Sequence, residues 1–435
     1  MKIGVISLGC AKNLVDTENL LGLLNASGQE LTTSYQEAEA IIINTCGFIA
    51  PAKEEAINTI LEVADYKQAN LKKLIVMGCL AQRYKPELEK EMPEVDCFIA
   101  IEEYKHLNQI LSKALDITIP KTYGKVPRLL SGKPWMAYLR IADGCDNRCA
   151  YCAIPLIRGP MRSVAEDALV EEAKRLVASG VKELNLIAQD SSRYGYDWDQ
   201  KLHLSHLLKR LDALEGVHWI RILYLYPDEI PDDLIATIQA SKHILPYFDI
   251  PIQHGCDAML QAMHRRSNQE EIRNRVARIR ASFERPILRT TILTGFPGES
   301  LEAHEENVSF LDEIGWDHLG VFTYSKEEDT PSYELEDNVR EEEKERRKNE
   351  LLMHQEKIME MRRKEWVGTK VEVLVEAKDA LTKMYIGRCA LQAPDGIDGS
   401  VRFQSEQDIP MGTFVDVEIT KVAGMHLLGH VVGEN

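Results

Sequence analysis

Short apolar runs that alternate with amphipathic stretches constrain this chain more than any other feature. Runs at 3–8, 40–44, 74–77 and 97–99 have strand length, and apolar residues at helical spacing fill 15–24 and 51–64. Such alternation predicts a parallel sheet, because each strand needs a crossover long enough to bring the chain back to the same edge. Pro120, Gly124, Pro127, Gly132 and Pro134 then break the pattern. A second series has apolar runs at 136–141, 183–187, 219–223, 247–250, 287–293 and 318–322, with helical stretches such as 167–178, 204–214 and 270–282 between them. Six strand–helix units in roughly 200 residues predict a barrel or an open partial barrel.

The remainder reads differently. Residues 340–366 contain neither Gly nor Pro and carry opposite charges at i,i+4 spacing, which predicts a solvated linker helix. Its charge run from Glu341 to Arg347 reads as a solvated face. Beyond it, short strands at 371–375, 384–388 and 413–421 are separated by turns such as Pro394-Asp395-Gly396, the pattern of a small antiparallel β-barrel. The expected α/β architecture is therefore a parallel α/β domain at 1–118, a partial (β/α) barrel at 131–364 and a small antiparallel β-barrel at 367–435.

Charge and cysteine usage narrow the function classes. The 435 residues carry 69 acidic and 52 basic side chains, a formal net charge of −17. A chain built to grip a phosphate backbone is usually basic, so no direct nucleic-acid substrate is expected and a basic partner fits better. No apolar run approaches the ~20 residues that span a bilayer. The first residues lack a basic leader and a small-residue cleavage site, so the chain is expected in the cytoplasm, without a membrane partner. In a reducing compartment its nine cysteines are not expected to form structural disulfides. They are better read as metal ligands, nucleophiles or buried residues.

The strongest chemical signal is Gly144-Cys145-Asp146-Asn147-Arg148-Cys149-Ala150-Tyr151-Cys152, directly after the first strand of the second series. A C-x₃-C-x₂-C loop can wrap three thiolates around one face of a cubane iron–sulfur cluster and leave one iron free for chemistry. Structural zinc wants four ligands, usually as two separated pairs, and no fourth Cys or His stands close by. The ferredoxin run, with its fourth cysteine before proline, is absent as well.

Cys10, Cys46 and Cys79 lie far apart in the chain, yet each follows the carboxyl end of an apolar strand and adjoins a glycine: Gly9, Gly47 and Gly78. Carboxyl ends of parallel strands share one edge, where ligands bind. Matched offsets on three strands predict one thiol-lined crevice rather than three unrelated core cysteines. Cys97, Cys256 and Cys389 show no such relation and read as structural.

The first motif, including the aromatic Tyr151, resembles the radical S-adenosylmethionine superfamily. Together the two cysteine sets resemble the methylthiotransferases of that superfamily, over nearly the whole chain, with a C-terminal barrel of the kind called TRAM. The resemblance implies two 4Fe-4S clusters, one on Cys10, Cys46 and Cys79 and one on Cys145, Cys149 and Cys152, with S-adenosyl-L-methionine as cofactor. Cleavage of that cofactor at the second cluster would give a radical that removes a hydrogen from substrate, and sulfur methylated at the first would then be added. A reductant such as flavodoxin or ferredoxin is implied as a partner.

One branch of the family modifies adenosine in transfer RNA, the other an aspartate β-carbon of a small-subunit ribosomal protein. The runs Ser7-Leu8-Gly9-Cys10-Ala11-Lys12-Asn13-Leu14-Val15-Asp16, Asp143-Gly144-Cys145-Asp146-Asn147-Arg148-Cys149, Ala153-Ile154-Pro155-Leu156-Ile157-Arg158-Gly159 and Gly320-Val321-Phe322-Thr323-Tyr324-Ser325 resemble the ribosomal branch. Ala11 stands where the family usually has proline, a departure that touches no ligand. Between residues 366 and 435 there are ten acidic and six basic side chains, which suits a basic ribosomal protein, free or within its subunit, better than RNA.

Tyr151, Gln189, Gln253, Gly295 and Glu299, with Asp190, are the candidates for the cofactor pocket, since they sit on the cysteine loop or after barrel strands, where catalytic residues gather. Ordinary loop chemistry explains them equally well. His254 and His264 read as surface or packing residues.

Overall fold

A computed structural model describes residues 1–433 of the chain. Its first sheet contains β1 (Lys2–Ser7), β2 (Glu30–Thr32), β3 (Ala40–Thr45), β4 (Lys73–Gly78) and β5 (Cys97–Ile99) in the order β2-β1-β3-β4-β5. All four pairings are parallel. The crossovers carry α1 (Ala11–Ala26), α2 (Ala50–Ala64) and α3 (Cys79–Glu91), and α4 (Leu107–Leu115) follows the last strand. Ile41, Ile42 and Ile43 form an unbroken apolar run because both faces of β3 are covered. Ile42 packs with Leu20 and Leu24 of α1 and Leu111 of α4. Ile41 and Ile43 pack with Ile60 of α2 and Leu80 of α3. Strand β2 went unread because it is a three-residue edge strand, half exposed, with no apolar run.

The second sheet has six parallel strands: β6 (Met136–Arg140), β9 (Glu183–Ile187), β10 (Trp219–Ile222), β11 (Ile244–Asp249), β12 (Ile287–Thr294) and β13 (His318–Thr323). They lie in chain order, and β6 and β13 are unpaired edges, so the barrel is partial. Two-residue strands β7 (Ala142–Asp143) and β8 (Arg162–Ser163) pair beside it. Around it lie α5 (Ile154–Arg158), α6 (Glu166–Ala178), α7 (Tyr196–Asp199), α8 (Leu204–Asp212), α9 (Asp232–Ala240), α10 (Asp257–Ala262), α11 (Gln269–Ser282), α12 (Leu301–Ile314) and α13 (Glu341–Lys364). One face of the strands, with Leu139, Leu184, Ile220, Phe248 and Leu288, packs against these helices. The opposite face, with Ile187, Trp219, Leu223, Tyr247 and Ile287, packs against the C-terminal unit instead.

That unit is a closed barrel of β14 (Lys370–Lys378), β15 (Tyr385–Arg388), β16 (Ser400–Gln404), β17 (Phe414–Ala423) and β18 (His426–Val431). Four of its five pairings are antiparallel, as expected, and β16 and β18 pair in parallel. Five strands cannot alternate direction around a closed ring, so one parallel pair is unavoidable. Glu434 and Asn435, the last residues of the expected third unit, lie outside the described residues.

The segment between β15 and β16 enters the amino-terminal mouth of the partial barrel. There Arg221 donates to the Ala390 carbonyl at 3.0 Å and Tyr247 donates to Asp398 at 2.6 Å. Arg289 donates to Asp395 at 2.7 Å, and the His318 ring nitrogen lies 2.8 Å from the Leu391 carbonyl. Glu183 at the start of β9 is paired with Arg388 at 2.5 Å and Arg221 at 3.2 Å. This mouth is plugged, so the opposite, carboxyl ends of the strands are left for ligands.

The expected solvated linker helix is also corrected. Leu351 and Ile358 of α13 are buried, and Gln355 donates to the Trp316 carbonyl at 2.7 Å. Within the charge run, Lys344 and Arg347 are buried: Lys344 pairs with Asp337 at 2.7 Å, and Arg347 donates to the Glu299 carbonyl at 2.8 Å. Charged residues on one helix stripe are here the lining of a packed joint, not a wet face.

Candidate functional site

Cys10, Cys46 and Cys79 come together at the carboxyl edge of the first sheet. Cys10 precedes α1, Cys46 follows β3 and Cys79 opens α3. They lie close enough for Cys79 to feel the charge of both Cys10 and Cys46. The glycines allow this approach: a Cβ on Gly9, whose φ is +88°, would stand 2.7 Å from the Cys46 Cβ, and one on Gly47 would stand 2.8 Å from the Leu80 backbone. Asn13 ties the edge together. Its amide donates to the carbonyls of Leu8 at 3.1 Å and Thr45 at 3.0 Å, and its Oδ1 lies 3.5 Å from the Cys79 thiol.

Cys145, Cys149 and Cys152 lie on the loop after β7, again within electrostatic reach of one another. The loop is fixed from several sides. The Cys145 N–H donates to the Gly159 carbonyl at 3.0 Å, Ala150 N–H to the Met263 carbonyl at 3.0 Å, and Asn147 to Asp190 at 2.7 Å. A Cβ on Gly144 would strike the Pro160 carbonyl. Arg265 stacks on Tyr226, donates to the Pro251 carbonyl at 2.8 Å and lies 3.5 Å from the Cys149 sulfur. The Tyr226 hydroxyl lies 3.6 Å from that sulfur.

Burial pushes the Cys79 thiol up to about 12 and Cys145 up to about 11, and raises Cys46 and Cys152 as well. Buried thiols resist ionisation until a cation arrives, and metal coordination deprotonates them outright. Among the described residues no three His, Cys, Asp or Glu side chains close on a single metal ion. Three thiols per site, cradled by glycine, supply the three thiolates that a cubane iron–sulfur cluster takes, one fewer than the four ligands of structural zinc.

The two trios face each other across one joint. Cys79 packs with Ala153, which directly follows Cys152, and with Ile157 of α5. Arg158, buried at the end of α5, donates to Asn13 at 2.7 Å and Asp16 at 2.9 Å on one side and to Asp143 at 3.1 Å on the other. Arg140 adds a second contact to Asp16 at 2.5 Å. Further out, Glu327 pairs with Lys53 at 2.9 Å and Arg83 at 2.8 Å. Asn13, Asp16, Tyr224, Tyr226 and Arg265 carry no local sequence signal, because the partners that give them a role come from other segments of the chain. The signal was there for Arg158, a charged residue inside the apolar run that follows the cysteine loop.

The expected cofactor residues separate into two groups. Gln189, two residues beyond the end of β9, has a buried Oε1 with no protein partner. Gln253 has φ +76° and is braced between Thr291 and Leu293 by backbone hydrogen bonds of 2.9 and 2.7 Å. Tyr151 packs beside Phe296, Cys256 and Met263. The Glu299 carboxylate, in contrast, is wholly buried, accepts from Thr294 and the Gly295 N–H, and lies 3.4 and 3.3 Å from the His254 and His304 rings. Burial opposes its ionisation, yet these neighbours hold its pKa well below the usual carboxylate range. Glu299 therefore braces the 295–299 loop, and Gly295, with φ +77°, leaves room there for Lys344. Asp190 likewise turns to Asn147 and Ser192, and burial raises its pKa. His254 is a buried packing residue, whereas His264 is exposed, with its ring 3.2 Å from the Arg148 carbonyl. Cys97, Cys256 and Cys389 join neither trio.

Known proteins resemble the chain in all three parts. Family models match residues 2–100 (uncharacterized protein family UPF0004), 139–311 (radical SAM superfamily) and 367–432 (TRAM domain). The sequence is 44% identical to the ribosomal protein uS12 methylthiotransferase RimO of Acetivibrio thermocellus, covering 100% of this chain and 99% of the relative. It is 42% identical to that of Clostridioides difficile, with 100% and 99% covered. For Aquifex aeolicus the identity is 44%, with 99% and 97% covered. Among solved structures, the radical S-adenosylmethionine methyltransferase TsrM from Kitasatospora setae superposes with a TM-score of 0.56 at 13% identity, over 76% of each chain, a likeness of fold. Among the described residues no helix is long and apolar enough to cross a membrane.

Proposed function

Because this chain belongs to the RimO family of radical SAM methylthiotransferases, we propose that it adds a methylthio group to an aspartate β-carbon of ribosomal protein uS12, using two 4Fe-4S clusters. The observation that carries this reading is the meeting of two cysteine trios across one joint. When bound, one cluster supplies the electron that splits S-adenosylmethionine, and the other supplies a site from which methylated sulfur is delivered. Cys145, Cys149 and Cys152 hold the first, and Cys10, Cys46 and Cys79 the second. Gln189, with its unpartnered oxygen, Gln253 and Tyr151 line the cofactor side. Arg158 and Asn13 keep the two sides in register and keep water out of the joint.

The working units are 1–118, 131–364 and 367–435, and the chain acts in the cytoplasm with a flavodoxin- or ferredoxin-like reductant. The acidic balance of the C-terminal barrel supports a basic protein substrate over transfer RNA. Substituting Cys145, Cys149 and Cys152 together by Ala should halve the bound iron and end deoxyadenosine formation. Substituting Cys10, Cys46 and Cys79 should also halve the iron, spare deoxyadenosine formation and stop the mass gain on uS12. Full iron content in either variant, or a mass gain on transfer RNA instead of uS12, would overturn the reading.

A further inference from the structure

Lys12 is a buried cation without an ion-pair partner among the described residues. It lies in the first turn of α1, two residues after Cys10, and is only 7% exposed. Its ammonium sits 3.3 Å from the centre of the Tyr224 ring, and among the described residues it forms no ion pair and no hydrogen bond. The other buried cations of the joint are all engaged. Arg158 is held by Asp16, Asp143 and Asn13, Arg140 by Asp16, Arg83 by Glu327, and Arg265 by Tyr226 and the Pro251 carbonyl. An aromatic face offsets only part of what a desolvated ammonium loses.

The shelf beneath Lys12 is itself unusual. Tyr224 has φ +64°, a left-handed conformation that a bulky residue adopts at a cost. Two backbone bonds impose it: its N–H donates to Asp249 at 3.0 Å and its carbonyl accepts from Ser191 at 2.9 Å. Two residues on, Tyr226 lies against Cys149. One short segment after β10 thus reaches Lys12 beside the first trio and a ligand of the second. A group held by Lys12 would lie between the two.

We propose that Lys12 receives the side-chain carboxylate of the substrate aspartate and is the residue that selects an anionic substrate. The inference rests on the methylthiotransferase reading above. The carboxylate carbon of aspartate is bonded directly to the β-carbon, so gripping one fixes the other where both trios converge. A nucleobase offers no anion at this position and would leave the ammonium buried and unpaired, which penalises the wrong substrate.

The test uses the anaerobically reconstituted full chain and two synthetic peptides that span the target segment, one with the aspartate and one with asparagine in its place. Wild-type enzyme should prefer the aspartate peptide in kcat/KM by at least about a hundredfold. Lys12→Gln should retain full iron, raise KM for the aspartate peptide by about thirtyfold or more and lose most of the preference. Lys12→Arg should restore part of it. Equal use of both peptides by the wild type, or an unchanged preference in Lys12→Gln, would overturn the proposal. So would loss of iron from both variants, which would make Lys12 a support for the cysteines. A wild type that modifies neither peptide nor whole uS12 would bring down the underlying reading, and this inference with it.

Discussion

Arg158 shows how much of the site depends on residues other than the thiols. Its guanidinium is buried and answers three partners on two units: Asp16 and Asn13 beside the first trio, and Asp143 beside the second. Arg158→Met would leave Asp143 and Asp16 with Arg140, at 3.9 and 2.5 Å, as their one cationic partner among the described residues. Removing one partner from a buried ion network costs about 3 kcal/mol or more. Thermal unfolding should therefore begin at lower temperature in Arg158→Met, and Arg158→Lys should recover little, because a point charge cannot bridge three acceptors as a planar fork does. An unchanged midpoint would show that the joint is held elsewhere. At this scale the sequence made the gathering of the cysteines readable, since strand-end position depends on local pattern alone. It could not show Arg158 meeting Asp16, because that contact exists only once two units dock. The surroundings of Glu299 were hidden for a related reason. Its position after a strand was visible, but the two histidines and Arg347 that enclose it come from three other segments.

Elements were legible where one face decides them. The strands of both parallel sheets stood out as apolar runs, because covered faces leave no room for alternation. Edge strand β2 and the burial of α13 did not, since neither announces itself by hydrophobicity. Helix α13 carries few apolar residues, yet Leu351 is fully buried while Met353, two positions on, is 59% exposed. This contrast gives a direct check on the packed joint. Leu351→Ala should destabilise the protein by about 3 kcal/mol, as truncation in a tight core does. Met353→Ala should stay within about 0.5 kcal/mol of the parent, as surface changes do. Denaturant midpoints of the two variants measure the difference, and equal midpoints would restore the picture of a solvated linker.

At the scale of the whole molecule, the C-terminal barrel does more than append a binding surface: it closes the amino-terminal mouth of the partial barrel and leaves the carboxyl end to the two trios. No sequence pattern announced this, because the plug is a loop whose polar groups find partners only inside another unit. Glu183 is one of its fully buried anchors, with no exposed surface and two guanidinium partners, Arg388 and Arg221. Burial acts to raise its pKa, but the two arginines outweigh burial and hold it below the usual value. A carboxylate depressed in this way contributes stability above its unfolded pKa of about 4.3, and that contribution is lost as pH falls through the folded value. Glu183→Gln removes the charge and the titration together. At pH 7 the variant should be less stable by about 3 kcal/mol, because the arginines are left buried with one anion fewer. Below about pH 4.3 the gap between parent and variant should narrow, since the parent then loses what the variant never had. Unfolding midpoints measured across that range test the argument. A gap that stayed constant, or widened in acid, would mean that Glu183 does not anchor the plug as a charged group.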